Sequence, residues 1–402
     1  MMNKLRVGVW VNSGMSQELG GGFTYYSELF SNLKTYAFSN ADIVFLSDQH
    51  CPDVSLDAQI KWRPSRIIKL LKRCFSILRF VPFLNRISAV FNAMDRKHLQ
   101  KLTNELYQYV DVIYYLIPQC VYPSYPYIYT LWDLGHLSTF AFPEVTQNGQ
   151  FDIRNSTHQV IQFKALMIFV ESYAGKQDVI QYLRINPDRI KVVPIFPSGI
   201  INTHIKAVKP TALDEEGLFF IHYPAQYWAH KNHFNLLLAF KDIIEEFPNL
   251  RLVLTGSDHG NKKYISAVIV KLGLSNSVID LGFVSNEELK WLYLNSKGLV
   301  MPTFLGPTNM PLMEAGCLNC PVACSDFPGH REQLGEYGNY FDPKDPNDIA
   351  RKIKNMIHDG LNNKKIVYLN KFNIHSSLSA IDDAFDEIYH IRSCWGNSDE
   401  SY

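Results

Sequence analysis

Between Gly298 and Asp326 the chain leaves little freedom in local structure. The apolar run from Gly298 to Met301 reads as a strand, and Gly306, Pro307, Thr308 and Asn309 form a loop. Met310 to Leu318 then has the composition and spacing of a helix, and apolar Pro321 to Ala323 resume as the next strand. Thr308 or Asn309 can cap that helix, and Pro311 sits in its first turn, where a missing N–H costs nothing. Unpaired amides and the positive end of the helix dipole then converge ahead of Met310, which makes an anion site of phosphate size. Glu314 lies about one turn further in, beside the small residues Ala315 and Gly316, where a carboxylate can accept from two hydroxyls of a ribose.

These residues resemble the donor-nucleotide motif of the retaining glycosyltransferases of the GT-B fold, family 4, whose form is E-x7-E followed by A-x-A-x-G-x-P-V. Glu314 matches the second Glu, Ala315 the alanine after it, and Pro321-Val322 the closing pair. Gly306 stands where the first Glu is usual, so the resemblance leaves donor-sugar contacts to be made otherwise, for example through Thr308 and Asn309. The implied fold class is α/β, GT-B: two doubly wound Rossmann-like domains facing one another across a cleft. The expected division is 1–205 for the acceptor and 206–376 for the nucleotide sugar, with a final helix at about 377–394 crossing back to the first domain. Asn202 to Gly217 is polar, carries Pro210 and reads as the linker.

The first half alternates strands and helices. Leu5 to Val11 is a nearly continuous apolar run, as in a parallel strand buried on both faces. A loop ending in Gly20-Gly21-Gly22 precedes a helix predicted over Phe23 to Ala37. Glycines there let backbone approach a ligand, although a glycine turn needs none; the resemblance turns Gly21 and Gly22 toward donor phosphates. Tyr127 to Trp132 is a further strand, followed by Asp133 and, three residues on, His136. The usual pair at this place is His-Asp. Here Trp132 takes the position of the His, so either Asp133 alone serves as catalytic group or His136 fills the role. Ser172, after the strand Leu166 to Val170, reads as a helix N-cap.

In the second half, Leu218 to His222 leads into a loop ending His230-Lys231-Asn232. The corresponding loop of the resembling family is G-R-x4-K-G/N, with two cations on the diphosphate. Lys231 matches the Lys, Gln226 replaces the Arg, and His230 or the helix start at Asn309 would have to compensate. A cation there opposes charge developing on the leaving diphosphate. Gly256 ends the next strand, where the family also has a glycine, so the resemblance places it at the donor, and Phe283 with Val284, in a G-x-V segment, is where the family holds the base. Ser285 and Glu288 form a capping box.

From 58 to 94 there is no acidic residue, yet Lys69, Lys72 and Arg73 stand among other cations and many apolar residues. Such a stretch suits an anionic membrane surface, or a core helix with a solvated basic face. Net charge is zero and nothing resembles a nucleic-acid-reading module, so no nucleic-acid partner is expected. The N-terminus carries no apolar core of signal-peptide length, which points to the cytoplasm, with peripheral attachment at the inner face of the plasma membrane. Of seven cysteines, Cys317, Cys320 and Cys324 are spaced C-x2-C-x3-C, but they fall on different elements and lack a fourth ligand. No D-x-D pair ends a strand, so neither metal nor cofactor is expected.

The expected activity is retaining transfer of a hexose or 6-deoxyhexose from a nucleotide-diphospho-sugar to a saccharide or lipid-linked acceptor, in surface-polysaccharide (O-antigen or capsule) synthesis. The rivals are a non-catalytic sugar-nucleotide-binding scaffold and a sugar-nucleotide epimerase of the same architecture.

Overall fold

The computed structural model describes residues 4–12, 20–47, 59–61, 103–121, 124–213, 217–360 and 371–394. Lys69, Lys72 and Arg73 lie outside them. Strands β1 (Leu5–Trp10), β2 (Ala41–Ser47), β3 (Gln59–Lys61), β4 (Val112–Tyr115), β5 (Tyr127–Thr130), β6 (Met167–Val170) and β7 (Ile190–Val192) form one sheet in the order β3-β2-β1-β4-β5-β6-β7. Strands β8 (Phe220–Pro224), β9 (Arg251–Thr255), β10 (Val278–Gly282), β11 (Leu299–Met301), β12 (Val322–Ser325) and β13 (Gly338–Phe341) form the second, in the order β10-β9-β8-β11-β12-β13. Every pairing is parallel, and the strands are apolar on both faces because helices cover both.

In each sheet the order reverses beside the first strand, at β1/β4 and at β8/β11. Crossovers leave in opposite directions there, so the loops part and open a crevice at the carboxyl ends of the strands. In the second sheet the two loops flanking that crevice are 225–232 and 302–309, which hold Lys231 and the run Gly306 to Asn309.

The helices of the first half are α1 (Gly21–Leu33), α2 (Gly135–Ser138), α3 (Pro143–Thr146), α4 (Gln150–Lys164) and α5 (Tyr173–Asp178). Those of the second are α6 (His233–Glu246), α7 (Lys262–Lys271), α8 (Asn286–Asn295), α9 (Met310–Cys317), α10 (Pro328–Leu334), α11 (Pro346–Asp359) and α12 (Ile374–Arg392). Helix α1 begins two residues earlier than its apolar spacing predicts. Gly20, at φ 66°, is its N-cap and its carbonyl accepts from Phe23 and Thr24, so Gly21 and Gly22 belong to the first helical turn and not to the loop. Ser172 caps α5 through Gly175 N–H at 3.0 Å, and the Ser285–Glu288 capping box is formed.

Helix α12 returns to the first sheet, where Ile381 and Phe385 join Val7, Val9, Val112 and Tyr114 in one core. Helix α9 is shared. Met310 and Met313, three residues apart and so on one face, enter that first core, while Leu312 and Ala315 on the opposite face enter the core of the second sheet. Burial of two methionines contributes roughly 1.5–3 kcal/mol each to the domain contact.

Asn232 ties the site-bearing loops together. It adopts a left-handed φ of 59° after the short turn Ala229–Lys231, and its Nδ2 donates to the carbonyls of Pro302 and Pro343, both at 2.8 Å. Replacing Asn232 by Ala strands the Pro302 carbonyl, whereas Pro343 O keeps Asn235 Nδ2 at 2.9 Å, and leaves an αL residue without side-chain compensation, at a cost of about 2 kcal/mol. Denaturant unfolding of the variant is expected to show a loss of this size; a change below about 0.5 kcal/mol would mean the Pro302 carbonyl finds another partner.

Candidate active site

Asn309 is the fixed point of the site. The His330 ring nitrogen Nδ1 donates to Ser325 O at 2.7 Å, so its Nε2 carries a lone pair and accepts from Asn309 Nδ2 at 2.8 Å. That assignment turns Asn309 Oδ1 toward Lys231, whose Nζ donates to it at 3.4 Å. Burial holds His330 at a pKa of about 4, as this neutral tautomer requires. Gln333 clamps the Asn309 backbone at both ends, accepting from its N–H and donating to its C=O, each at 3.0 Å. His330 and Gln333 are three apart on α10 and so reach the same side of that helix.

The cap predicted on α9 takes a different form. Asn309 occupies the N-cap position but makes no side-chain cap bond, because Lys231 and His330 hold its amide. Its own N–H goes to Gln333. Ahead of α9 the N–H groups of Thr308 and Met310 have no acceptor among the described residues. Gly306, at φ 105°, makes the turn that lifts Pro307 toward α10. A Cβ on Gly329 would lie 1.5 Å from Pro307 O, so only glycine lets α10 support this loop so closely.

Burial lowers the Lys231 pKa to about 8, with Asp133 and Glu144 partly offsetting it. The ammonium is therefore a weakly compensated cation beside a helix start. His230 does not supply the second cation. Its Nδ1 and backbone N–H both engage Glu144 Oε1 of α3, the latter at 2.8 Å, and burial lowers its pKa in spite of that carboxylate.

Across the cleft, Asp133 follows β5. Its Oδ1 accepts from Arg154 Nη2 at 2.5 Å and from Gly135 N–H at 2.8 Å, leaving Oδ2 without a bond among the described residues. Burial pushes its pKa up, but Arg154 and the Gly135 amide outweigh burial and the net shift is downward. His136 is excluded from the chemistry. Its ring is buried against His158 and Phe151 of α4, neither nitrogen has a hydrogen-bond partner, and burial brings its pKa down to about 4. The side chain three residues beyond Asp133 turns into the packing under α2 and away from the cleft.

Gly22 is small for a neighbour's sake: a Cβ there would meet the Trp132 ring at 2.9 Å, whereas one on Gly21 would meet nothing within 4 Å. Gly20 faces Gln226, whose Oε1 accepts from Trp228 Nε1 at 3.0 Å. Gly256, expected near the donor, has a structural role of its own. Its N–H bonds Gly282 O at 2.8 Å, and a Cβ would lie 2.3 Å from Ala225 O, so this glycine lets two strand ends approach. Phe283 is 66% exposed, while Val284 packs beside Phe220 and Leu292.

Glu314 lies on the face of α9 turned to the first domain. Tyr293 OH donates to its Oε2 at 2.8 Å and Ser198 Oγ donates to its Oε1, so both oxygens are satisfied within the chain. Burial raises its pKa against these bonds. Sequence reasoning passed over Ser198, Tyr293, Glu144, Glu171, Gly329, His330 and Gln333 as site residues. Their roles come from contacts between distant segments; only the i, i+3 spacing of His330 and Gln333 was a signal within reach. Cys320 and Cys324 are buried in the second core, and among the described residues no group of three His, Cys, Asp or Glu could hold a metal ion.

Residues 206–371 match the family model described as Glycosyl transferases group 1. The O-antigen chain mannosyltransferase B of Escherichia coli is 24% identical over 291 residues, covering 70% of this chain and 74% of that protein. The O-antigen chain mannosyltransferase RfbU of Salmonella typhimurium is 32% identical over 129 residues, or 32% of this chain, and the match spans about a third (36%) of that relative's length. Among solved structures, Anabaena HepE in complex with UDP-glucose superposes with a TM-score of 0.65 at 16% identity, covering 95% of this chain and all of that one (100%). The fold is GT-B, with the two sheets described above as its halves.

Two outcomes follow from this geometry. A diphosphate prefers the charged form of Lys231, so nucleoside diphosphate affinity is expected to fall as pH rises through about 8, and the slope should vanish in Lys231→Met. Titration calorimetry from pH 6.5 to 9.5 measures it, and a flat profile for the native protein would remove Lys231 from the phosphate site. Gly329→Ala must displace Pro307 and with it the Thr308 amide; a misplacement of about 1 Å costs on the order of a hundredfold in turnover. Unchanged nucleotide binding and turnover in a folded Gly329→Ala protein would show that the loop is not the anion cradle.

Proposed function

We propose that this chain, which through residues 206–371 belongs to the glycosyl transferases group 1, is a retaining glycosyltransferase of family 4 that moves a hexose from a nucleotide-diphospho-sugar to a saccharide or lipid-linked acceptor. The observation that carries the reading is the meeting of Lys231 with the Asn309 helix start at the switch point of the second sheet. A cation and two unbonded amides there suit a diphosphate, which gains charge as the glycosidic bond breaks.

In this reading the acceptor oxygen forms its bond to the anomeric carbon on the face from which the diphosphate departs with the bonding electrons. Asp133, held below the ordinary carboxylate range by Arg154, is a weak base, so it orients the acceptor hydroxyl through Oδ2. The departing phosphate oxygen takes the acceptor's proton. Lys231 and the Thr308 and Met310 amides meet the charge, with no metal or cofactor assigned a role. Glu314 exchanges Ser198 for ribose hydroxyls when the nucleotide enters. Phe283 and Val284 lie on the base side.

The O-antigen mannosyltransferase relatives support a hexose, with mannose the first donor to try, and a place in surface-polysaccharide synthesis. A 6-deoxyhexose donor is the alternative within the same class. No helix among the described residues is long and apolar enough to cross a membrane. Attachment at the inner face of the plasma membrane would therefore rest on the basic stretch around Lys69, Lys72 and Arg73. The scaffold reading, binding without turnover, draws on one observation, that Glu314 is already satisfied within the chain.

Incubation of purified protein with GDP-mannose, UDP-glucose and related donors, followed by release of nucleoside diphosphate, tests the proposal. Turnover is expected, with Lys231→Ala losing about 10- to 150-fold, the worth of one charged hydrogen bond. Ser198→Ala is expected to tighten nucleoside diphosphate binding by freeing Glu314. Binding of nucleotide sugars without any turnover across the panel would establish the scaffold instead.

A further inference from the structure

Glu171 is a buried-edge carboxyl that the mechanism above does not use. It follows β6 directly, between Val170 and the Ser172 cap, and its carbonyl accepts from Ile195 N–H at 3.2 Å, so strand, cap and backbone bond all fix where its side chain leaves the sheet. That place is the carboxyl edge of the first sheet. The carboxyl reaches the second domain, where Thr308 Oγ1 donates to its Oε2. Its Oε1 has no bond, and no Lys, Arg or His pairs with it among the described residues. Burial without a cation raises its pKa to about 7, with Asp133 adding in the same direction and Thr308 opposing.

A carboxyl held in this way is expensive for a fold unless something polar meets it. Thr308 adjoins Asn309, which receives Lys231, so Glu171 and Lys231 bear on neighbouring residues of one loop from opposite domains. The loop itself, Gly306-Pro307-Thr308-Asn309, brings no carboxylate. If the diphosphate occupies the Lys231 end of that loop, the hexose bonded to it extends over Thr308 and under Glu171. Carboxylate oxygens accept hydroxyl protons in pairs, and a neighbouring threonine hydroxyl can both donate and accept.

We infer that Glu171, with Thr308, is a donor-sugar ligand: its carboxyl crosses the cleft to bind hydroxyls of the hexose and so decides which epimer is accepted. The inference rests on the placement of the diphosphate at Lys231 and deepens it. Glu171 contacts the sugar and not the nucleotide, and this separates the two claims. A site built to hydrogen-bond a hydroxyl rejects an analogue that lacks or misplaces it far more strongly than an apolar pocket does.

The test compares native protein with Glu171→Gln and Glu171→Ala. Binding of free GDP and UDP is measured by calorimetry, and kcat/KM with UDP-glucose against UDP-galactose and with GDP-mannose against GDP-glucose, pairs that differ in one hydroxyl's configuration. Free nucleoside diphosphates are expected to bind the native protein and both Glu171 variants within about twofold, while kcat/KM for the preferred donor falls on the order of 10- to 100-fold in Glu171→Ala and the epimer preference collapses. Glu171→Gln keeps the shape and one acceptor oxygen, so it should retain folding and lose preference in part. Unchanged epimer preference in Glu171→Ala or, if that variant does not fold, in Glu171→Gln overturns the inference, as does an equal loss of affinity for free GDP or UDP. Failure of the native protein to bind any nucleoside diphosphate would overturn the underlying placement, and this inference with it.

Discussion

The amide of Asn309 is the contact on which the candidate site depends. Its backbone is held by Gln333, its Nδ2 by a histidine whose tautomer Ser325 dictates, and its Oδ1 by Lys231. None of these bonds is worth more than a few kcal/mol, yet together they leave the loop no alternative arrangement. The result is a helix start aligned with a cation that approaches from the neighbouring strand's loop. Gly329 and Asn232 serve the same end, one by letting α10 come close and the other by tying three loops into one rim.

The two domains meet through carboxylates. Glu144 holds His230, Glu171 meets Thr308, Glu314 receives Ser198, and Glu332 accepts from the amides of Tyr173 and Ala174 at 3.0 and 3.1 Å. Each such bond spans the cleft or the hinge beside it, and each is exchangeable with a hydroxyl or amide of a ligand or with water. Met310 and Met313 add apolar contact between the domains beside these polar bonds.

Much of this was legible in the sequence, because apolar runs of strand length alternating with helical periods admit few folds other than doubly wound sheets. The strand-loop-helix at Met301 to Cys317 is of that kind, whereas the place of Lys231 beside it came from the resemblance of its loop to the family's. Of the two alternatives after β5, His136 is buried against His158, because Asp133 precedes the helix Gly135–Ser138 and the chain turns between them, so spacing along the sequence does not set the direction of the ring. At Gly256, expected near the donor, a φ of 143° and the nearness of Ala225 give the glycine a structural reason that spacing alone does not reveal. Glu171 and Ser198 were invisible for another reason. Their meaning lies in residues more than a hundred positions away, and no local pattern encodes a contact between domains.

The most direct measurement is a crystal structure of the protein with a nucleoside diphosphate bound. The diphosphate is expected at the carboxyl ends of β8 and β11, with oxygens about 2.7–3.1 Å from Lys231 Nζ and the amides of Thr308 and Met310, and with Glu314 turned from Ser198 to the ribose. A diphosphate bound elsewhere, with Lys231 still on Asn309 and Glu314 still on Ser198, would contradict it.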